Sequence, residues 1–298
     1  APSCTSAPLV KFPVRMLRIR EEKTGLVCML LQGNRPSRLS EEHSFAATEH
    51  TTMKYGILGD IHGNLEALEA VLKKAEECGV ERYVCIGDIV GYNANPHECI
   101  EVVRNLPHDG IVRGNHDEYV SNSRDLLGFN PQAASAVRWT RDQLSAEEHR
   151  WLANLPFKLF IRPDVGPRFQ IVHATLDNPD KWGYIFDRFS AEACMRYQAS
   201  DVCFFGHTHT PMCFIRNDDI SQEYYEEIQV LPNHKYLVNV GSVGQPRDGN
   251  PQAALVVYDT GANKIQLHRV DYDIEKCQRK IHEAGLPERL SERLSIGR

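Results

Sequence analysis

No two cysteines form a C-x-x-C pair in this 298-residue sequence, although nine are scattered from Cys4 to Cys277. An odd, unclustered set offers no disulfide framework, and Cys85 and Cys203 sit inside apolar runs where a free thiol behaves as a small hydrophobe. That usage fits a reducing compartment, the cytoplasm. Long apolar runs are missing too. The longest early one, "LVCMLL" at 26–31, is too short to cross a bilayer and is not followed by a clear cleavage site, so no secretory or membrane signal is read. Basic charge is in deficit: residues 53–298 hold 27 Lys and Arg against 35 Asp and Glu, a net of −8. Gripping a nucleic-acid backbone needs a basic face, so stable nucleic-acid binding is not expected, whereas an acidic balance suits metal cations. No internal repeat or low-complexity tract stands out.

What is present begins at Met53. Residues 1–52 show no sustained period, and we expect a poorly structured leader or non-native extension there. From 53 the pattern is that of a folded domain running to 298. "KYGILGD" reads as a strand, followed by a helix with Leu65, Leu68, Leu72 and Ala75 at three- and four-residue steps and closed by Cys78-Gly79. "RYVCIGD" and "GIVRGNHD" repeat the apolar strand that stops at polar residues. Strand, helix, strand at this spacing predicts a parallel sheet whose site lies at the carboxyl ends of the strands. Residues 118–165 are expected to form a small helical cap, with Pro131 near one helix start and a Ser145–Glu148 capping box opening the next. Beyond it, "FKLFI", "FQIVHA", "VCFFGHTHT", "MCFIR", "YLVNVGSVG", "AALVVYD" and "KIQLHRV" are short β-rich runs, and "DIEKCQRKIHEAG" is a closing helix.

The chemistry-bearing residues follow these strand-like runs: Asp60, His62, Asp88, Asn115, His116, His173, His207 and His209. Taken singly, each has an ordinary structural reading. An Asp at a strand end caps the next helix, G-D is a common turn, and a lone His after "QIV" is a core histidine. G-N-H-D at 114–117 is harder to explain, since a Gly-Asn turn does not call for His. In G-H-T-H at 206–209, an extended chain would point both rings to one side. Together they form a mixed oxygen and nitrogen donor set that suits Mn, Fe or Zn better than Mg or Ca, and it is large enough for two ions.

The order D-x-H, G-D, G-N-H-D, a lone His and G-H-T-H resembles the signature of the calcineurin-like metallophosphoesterases across residues 53–298. "GDIVGYNANPHECIEVV", "NVGSVGQPRDG" and "IHEAGLPERLSERLSIGR" are similar to small prokaryotic members of the phosphodiesterase or diadenosine-tetraphosphatase-related type. The resemblance implies an α/β (α+β) fold, a four-layer β-sandwich flanked by helices. It implies that Asp60, His62, Asp88 and His209 hold one divalent ion and that Asp88, Asn115, His173 and His207 hold the other. It also implies in-line attack by a metal-bridging hydroxide, with His116 assisting the leaving group and Asp117 orienting His116. The metal is expected to be Mn, with Fe, Zn, Ni or Co as alternatives. The substrate is expected to be a phosphate ester, nucleotide-like in one reading.

Asn115, Arg113 and Arg247 are candidates for substrate contact. For Arg113 a surface salt bridge, and for Arg247 a role away from phosphate, stand as open alternatives. Trp182 and Tyr184 would either stack on a nucleobase or pack. "R-G-N-H-D" differs from the "R-G-N-H-E" of phosphoprotein phosphatases, which points toward a phosphodiesterase. A phosphomonoesterase, a phosphoprotein phosphatase and an inactive scaffold are the alternatives, and homo-oligomerisation is left open.

Overall fold

The computed structural model describes residues 52–298 apart from 123, 127 and 128, so nearly all of the expected leader lies outside the described residues. Chain order begins with β1 (Lys54–Leu58), α1 (Leu65–Glu77), β2 (Arg82–Cys85), α2 (Pro96–Asn105), β3 (His108–Ile111) and α3 (Asn115–Ser121). It continues through α4 (Pro131–Gln143), α5 (Ala146–Ala153), β4 (Lys158–Ile161), β5 (Phe169–Val172), α6 (Arg188–Met195) and β6 (Val202–Phe205). Then come β7 (Met212–Arg216), β8 (Ile220–Glu223), β9 (Glu227–Gln229), β10 (Lys235–Asn239), β11 (Ala253–Asp259) and β12 (Lys264–Val270). The last elements are α7 (Ile274–Glu283), α8 (Glu288–Glu292) and a 3-10 turn at Arg293–Ile296.

The strands form two six-stranded sheets, ordered β3-β2-β1-β11-β12-β9 and β4-β5-β6-β10-β7-β8. Each contains a parallel trio, β1, β2 and β3 in one and β5, β6 and β10 in the other, with antiparallel strands beside it. Alternation along each strand decides what each face meets. In β1, Tyr55 and Ile57 point between the sheets, where Tyr55, Phe169, Phe204 and Tyr258 pack ring edge to ring face. On the opposite face Leu58, Cys85 and Ile111 meet Leu68 and Val71 of α1 and Ile100 and Val103 of α2. The second sheet turns Cys203, Phe205 and Leu237 onto Ala191, Cys194 and Met195 of α6. Two sheets with helices outside both make four layers, as expected.

Local signals held in several places. Gly79 is left-handed after α1, Pro131 stands at the start of α4, and Ser145 and Glu148 close a capping box on α5. The range expected for the cap needs correction at its end. Lys158–Ile161 is the edge strand β4, because Leu159 and Ile161 alternate into the inter-sheet core, so the helical part stops at Ala153. Leu144, Leu152 and Leu155 pack into the outer core of the first sheet. Of the range expected for the cap, Tyr119 of α3, Phe129 and Asn130 of the α3–α4 connection and Ala133 of α4 border the cavity at the strand ends.

Candidate metal centre

Both parallel trios deliver their carboxyl ends to one edge, and the polar residues follow within a few positions. Asp60 and His62 come after β1, Asp88 after β2, and Asn115 and His116 after β3. His173 comes after β5, and His207 and His209 after β6. The loops are laced together by backbone bonds: the His62 N–H donates to Asp88 O at 2.8 Å and the Gly63 N–H to Ile89 O at 2.9 Å.

Asp60, His62, Asp88, His207 and His209 all adopt positive φ, between 51° and 67°. That region costs an ordinary side chain roughly 1–2 kcal/mol, and its clustering on these residues is the mark of a functional site held under constraint. It also overturns one expectation. The G-H-T-H segment is not extended, so its rings are not parallel neighbours; His207 turns toward His173 and His209 toward His62.

The ring nitrogens are oriented by carbonyl oxygens, which can only accept. His62 Nδ1 lies 3.1 Å from Val90 O, His173 Nδ1 2.9 Å from Ile86 O, and His209 Nδ1 2.6 Å from Gln245 O. His207 Nε2 lies 3.1 Å from Trp182 O. Each of these nitrogens therefore carries the proton and the other ring nitrogen presents a lone pair. Those lone pairs face one another: His62 Nε2 is 3.1 Å from His209 Nε2, and His173 Nε2 is 3.2 Å from His207 Nδ1. His209 Nε2 is 3.1 Å from Asp60 Oδ1, a buried oxygen with no hydrogen-bond partner, and His173 Nε2 is 3.5 Å from Asp88 Oδ2.

Burial pushes Asp60 up to about 6 and Asp88 well above the carboxylate range, with Asp117 and Asp60 adding to the rise at Asp88. Burial, then neighbouring imidazoles and Arg247, push His62, His207 and His209 well below the ordinary histidine value. Neutral lone pairs and buried carboxylates converging at these distances repel unless a cation lies between them. The donor set fits divalent ions. Asp60, His62, Asp88 and His209 form one group and Asp88, His173 and His207 another, each with its ligand atoms within 4.8 Å of one another and Asp88 shared. Asn115 Oδ1 stands 3.1 Å from His173 Nε2, beside the second group.

His116 lies beside this centre. Its ring packs on Tyr92 and His62 at centroid distances of 4.4 and 4.8 Å, and Nδ1 is buried without a partner against Gly91. A Cβ at Gly91 would come within 2.4 Å of that nitrogen, and φ there is +95°, so glycine is required. Burial, then Arg247 and nearby histidines, hold His116 well below its usual value. His116, Asn115, Tyr92, Trp182, Tyr184 and His207 border a cavity of about 350 Å³ that opens beside the centre.

Asp117 does not touch the His116 ring. Its Oδ2 accepts from the N–H groups of Asp88 (2.8 Å) and Gly114 (3.0 Å), and its Oδ1 from Ile89 (2.9 Å) and Val90 (3.3 Å). Both oxygens are occupied by the loop that carries Asp88, so it organises that loop rather than orienting the imidazole. Burial raises Asp117 to about 6 while the four N–H bonds oppose the rise.

Arg113 is drawn away. Its guanidinium donates to Leu155 O at 2.9 and 3.1 Å and lies over the Phe157 ring, and it meets neither the centre nor, among the described residues, an acidic partner. Arg247 is brought in: its Nη2 donates to Tyr92 Oη and Gln245 Oε1, and its charge acts on Asp60, His62 and His116. The Trp182 carbonyl receives the His207 proton, and the half-exposed Tyr184 ring stacks on His207 at 4.2 Å.

Sequence reasoning missed Tyr92, Asn239 and Ser242. Asn239 Nδ2 donates to Gly206 O at 2.8 Å, and Ser242 Oγ donates to Asp60 O at 2.8 Å. The signal for Asn239 and Ser242 was available, since "YLVNVGSVG" is another apolar strand that ends in polar residues and glycines.

Two mixed sheets with a shared-carboxylate metal centre at their common edge define a class, and residues 53–262 match the calcineurin-like phosphoesterase superfamily domain. The chain belongs to that superfamily and is a hydrolase of phosphate esters. An uncharacterized protein of Methanocaldococcus jannaschii is 39% identical over 244 residues, covering 81% of this chain and 97% of that one. The crystal structure of a metallophosphoesterase from Sphaerobacter thermophilus is 36% identical with a TM-score of 0.73, covering 83% of this chain and all of that one. A hypothetical protein from Pyrococcus horikoshii shares the fold at 22% identity and a TM-score of 0.69, over 83% of this chain and 99% of that one. Among the described residues no helix is long and apolar enough to cross a membrane.

Proposed function

We propose that the chain is a phosphodiesterase that works with two divalent ions, Mn in first place and Fe, Zn, Ni or Co as alternatives. Asp60, His62, Asp88 and His209 would hold one ion, and Asp88, Asn115, His173 and His207 the other. Bound there, the ions would supply Lewis acidity that activates water and neutralises charge on the phosphoryl oxygens. The chain's part is positioning. Carbonyls of Val90, Ile86, Gln245 and Trp182 hold the imidazoles in the ligating tautomer, and Arg247 adds positive charge at the edge of the centre, for substrate phosphate. Nδ1 of His116 is buried, so Nε2 is the nitrogen left to bring a proton to the departing oxygen.

The observation that carries the diester reading is the fate of Arg113. With its guanidinium held by Leu155 O, one fewer cation meets the reacting phosphoryl group, which favours a singly charged diester over a doubly charged monoester. The seven described cysteines, all free, support a reducing, cytoplasmic setting. The test is hydrolysis of bis-p-nitrophenyl phosphate beside the p-nitrophenyl monoester, by metal-stripped protein reconstituted with Mn²⁺, with Asp88→Asn as control. Metal-dependent turnover favouring the diester and lost in the variant is expected. Preference for the monoester would reverse the subclass, and absence of turnover with both ions bound would favour an inactive scaffold.

A further inference from the structure

Two arginines flank one aromatic ring at the edge of the centre. The Tyr92 ring, which packs on His116 and on His62, has the Arg247 guanidinium 5.6 Å from its centroid and that of Arg293 5.9 Å away. Arg247 comes from the loop after β10, whereas Arg293 opens the 3-10 turn near the end of the chain, more than forty residues later. Neither forms an ion pair with a carboxylate side chain among the described residues. Arg247 donates to Tyr92 Oη and Gln245 Oε1 and has a buried Nε without a partner, and Arg293 donates through Nε to Arg298 O.

Two guanidinium groups held on one ring repel each other. Burial, with Arg247 next, lowers Arg293 from its ordinary value, and the charge of Arg293 reaches His209 as well. Each rests on the Tyr92 ring, but neither has a carboxylate side chain beside it among the described residues, and an anion reached by both would offset their repulsion. The surroundings are open to one. A groove of about 390 Å³ bordered by Arg289, Arg293, Arg298, Glu292 and Asn130 adjoins the active-site cavity, since Asn130 borders both. Three arginines against one glutamate leave that groove positive.

We infer that Arg247 and Arg293 form a second anion subsite beside the metal centre, which takes a phosphoryl group of the substrate other than the one being cleaved. Planar guanidinium forks match phosphoryl oxygens in pairs, so the site would select phosphodiesters that carry a second phosphoryl group next to the reacting one. The inference rests on the phosphodiesterase reading and narrows its substrate class. Arg293 is a specificity residue here and takes no part in the bond cleavage.

The experiment compares the Mn²⁺-loaded full chain with Arg293→Gln and Arg293→Lys on two esters with the same leaving group, methyl p-nitrophenyl phosphate and P1-methyl P2-p-nitrophenyl diphosphate. Loss of one charge-assisted pair predicts a fall of about tenfold or more in the diphosphate-to-monophosphate ratio of kcat/KM for the glutamine variant, with partial recovery for lysine. An unchanged ratio, or equal loss on both esters, overturns the inference and leaves Arg293 a structural residue. If wild-type protein hydrolyses neither ester, the phosphodiesterase reading fails on its own account. Calorimetric binding of methylenediphosphonate against methylphosphonate then judges the subsite: a preference for the diphosphonate that drops about tenfold in Arg293→Gln supports it, and an equal preference in both proteins overturns it.

Discussion

Replacing Asp117 with asparagine separates two roles that adjacency in "G-N-H-D" leaves confounded. The carboxylate accepts four backbone N–H groups, two on each oxygen, at 2.8 to 3.3 Å. Asparagine keeps one accepting oxygen and turns an NH₂ toward the other two donors. Leaving two buried donors unpaired costs roughly 1–3 kcal/mol each, so about 2–6 kcal/mol of stability is expected to be lost. Loss of the negative charge beside Asp88 returns part of that in metal-free protein, so the Mn²⁺-loaded form is the one to measure. The same loop carries Asp88, whose Oδ1 accepts the His116 N–H at 2.8 Å, so ion affinity is expected to fall with stability. Denaturant unfolding with metal analysis on wild type and Asp117→Asn decides the matter. Stability within about 0.5 kcal/mol of wild type, with both ions retained and turnover lost, would refute the loop-organising role and restore direct orientation of His116.

Two further outcomes follow from local geometry. Gly91→Ala adds a Cβ 2.4 Å from His116 Nδ1 at a φ of +95°, so kcat is expected to fall at least about tenfold, with loss of about 1–3 kcal/mol of stability and retention of both ions; wild-type turnover would contradict it. His97, on α2, meets Glu148 of the α5 capping box. The Glu148 hydrogen bond raises His97, while Glu148 is pushed up by burial and pulled lower overall by its bonds to Ser145 and His97. A raised histidine contributes stability below its unfolded value and loses it as pH rises through the folded value. A lowered carboxylate loses its contribution as pH falls through its own. The destabilisation by His97→Gln is therefore expected to be larger at pH 6 than at pH 9, and below about 1 kcal/mol because the histidine is largely exposed. Melting curves of both proteins at the two pH values check this, and a larger effect at pH 9 would be inconsistent with it.

Much of the centre is legible in the order of residues along the chain, for a covalent reason. An apolar strand that stops at Asp or His declares both its own direction and the end at which a polar side chain leaves the core. Asp60, His62, Asp88, Asn115 and His116 are therefore readable from three successive β-α steps. The capping box at Ser145 and the left-handed Gly79 belong to the same local chemistry.

The remainder depends on distances between residues far apart in the chain. Parallel pairing of β5, β6 and β10 brings His173, His207 and His209 against Asp60 and Asp88, and short β-rich runs alone do not reveal that pairing. Left-handed backbone at Asp60, His62, Asp88, His207 and His209 arises because loops bonded to one another override each residue's own preference, which defeats any reading of G-H-T-H by alternation. Arg113 and Arg247 look alike in sequence, each a cation beside a glycine- or proline-containing turn, and only the position of Leu155 O and of the Tyr92 ring tells them apart. Residue order establishes which donor atoms exist and at which strand ends they stand, because strand direction and alternation are local. Which donors gather into one cluster, what Asp117 holds and which arginines face the centre are through-space relations, and the packing of two sheets imposes them.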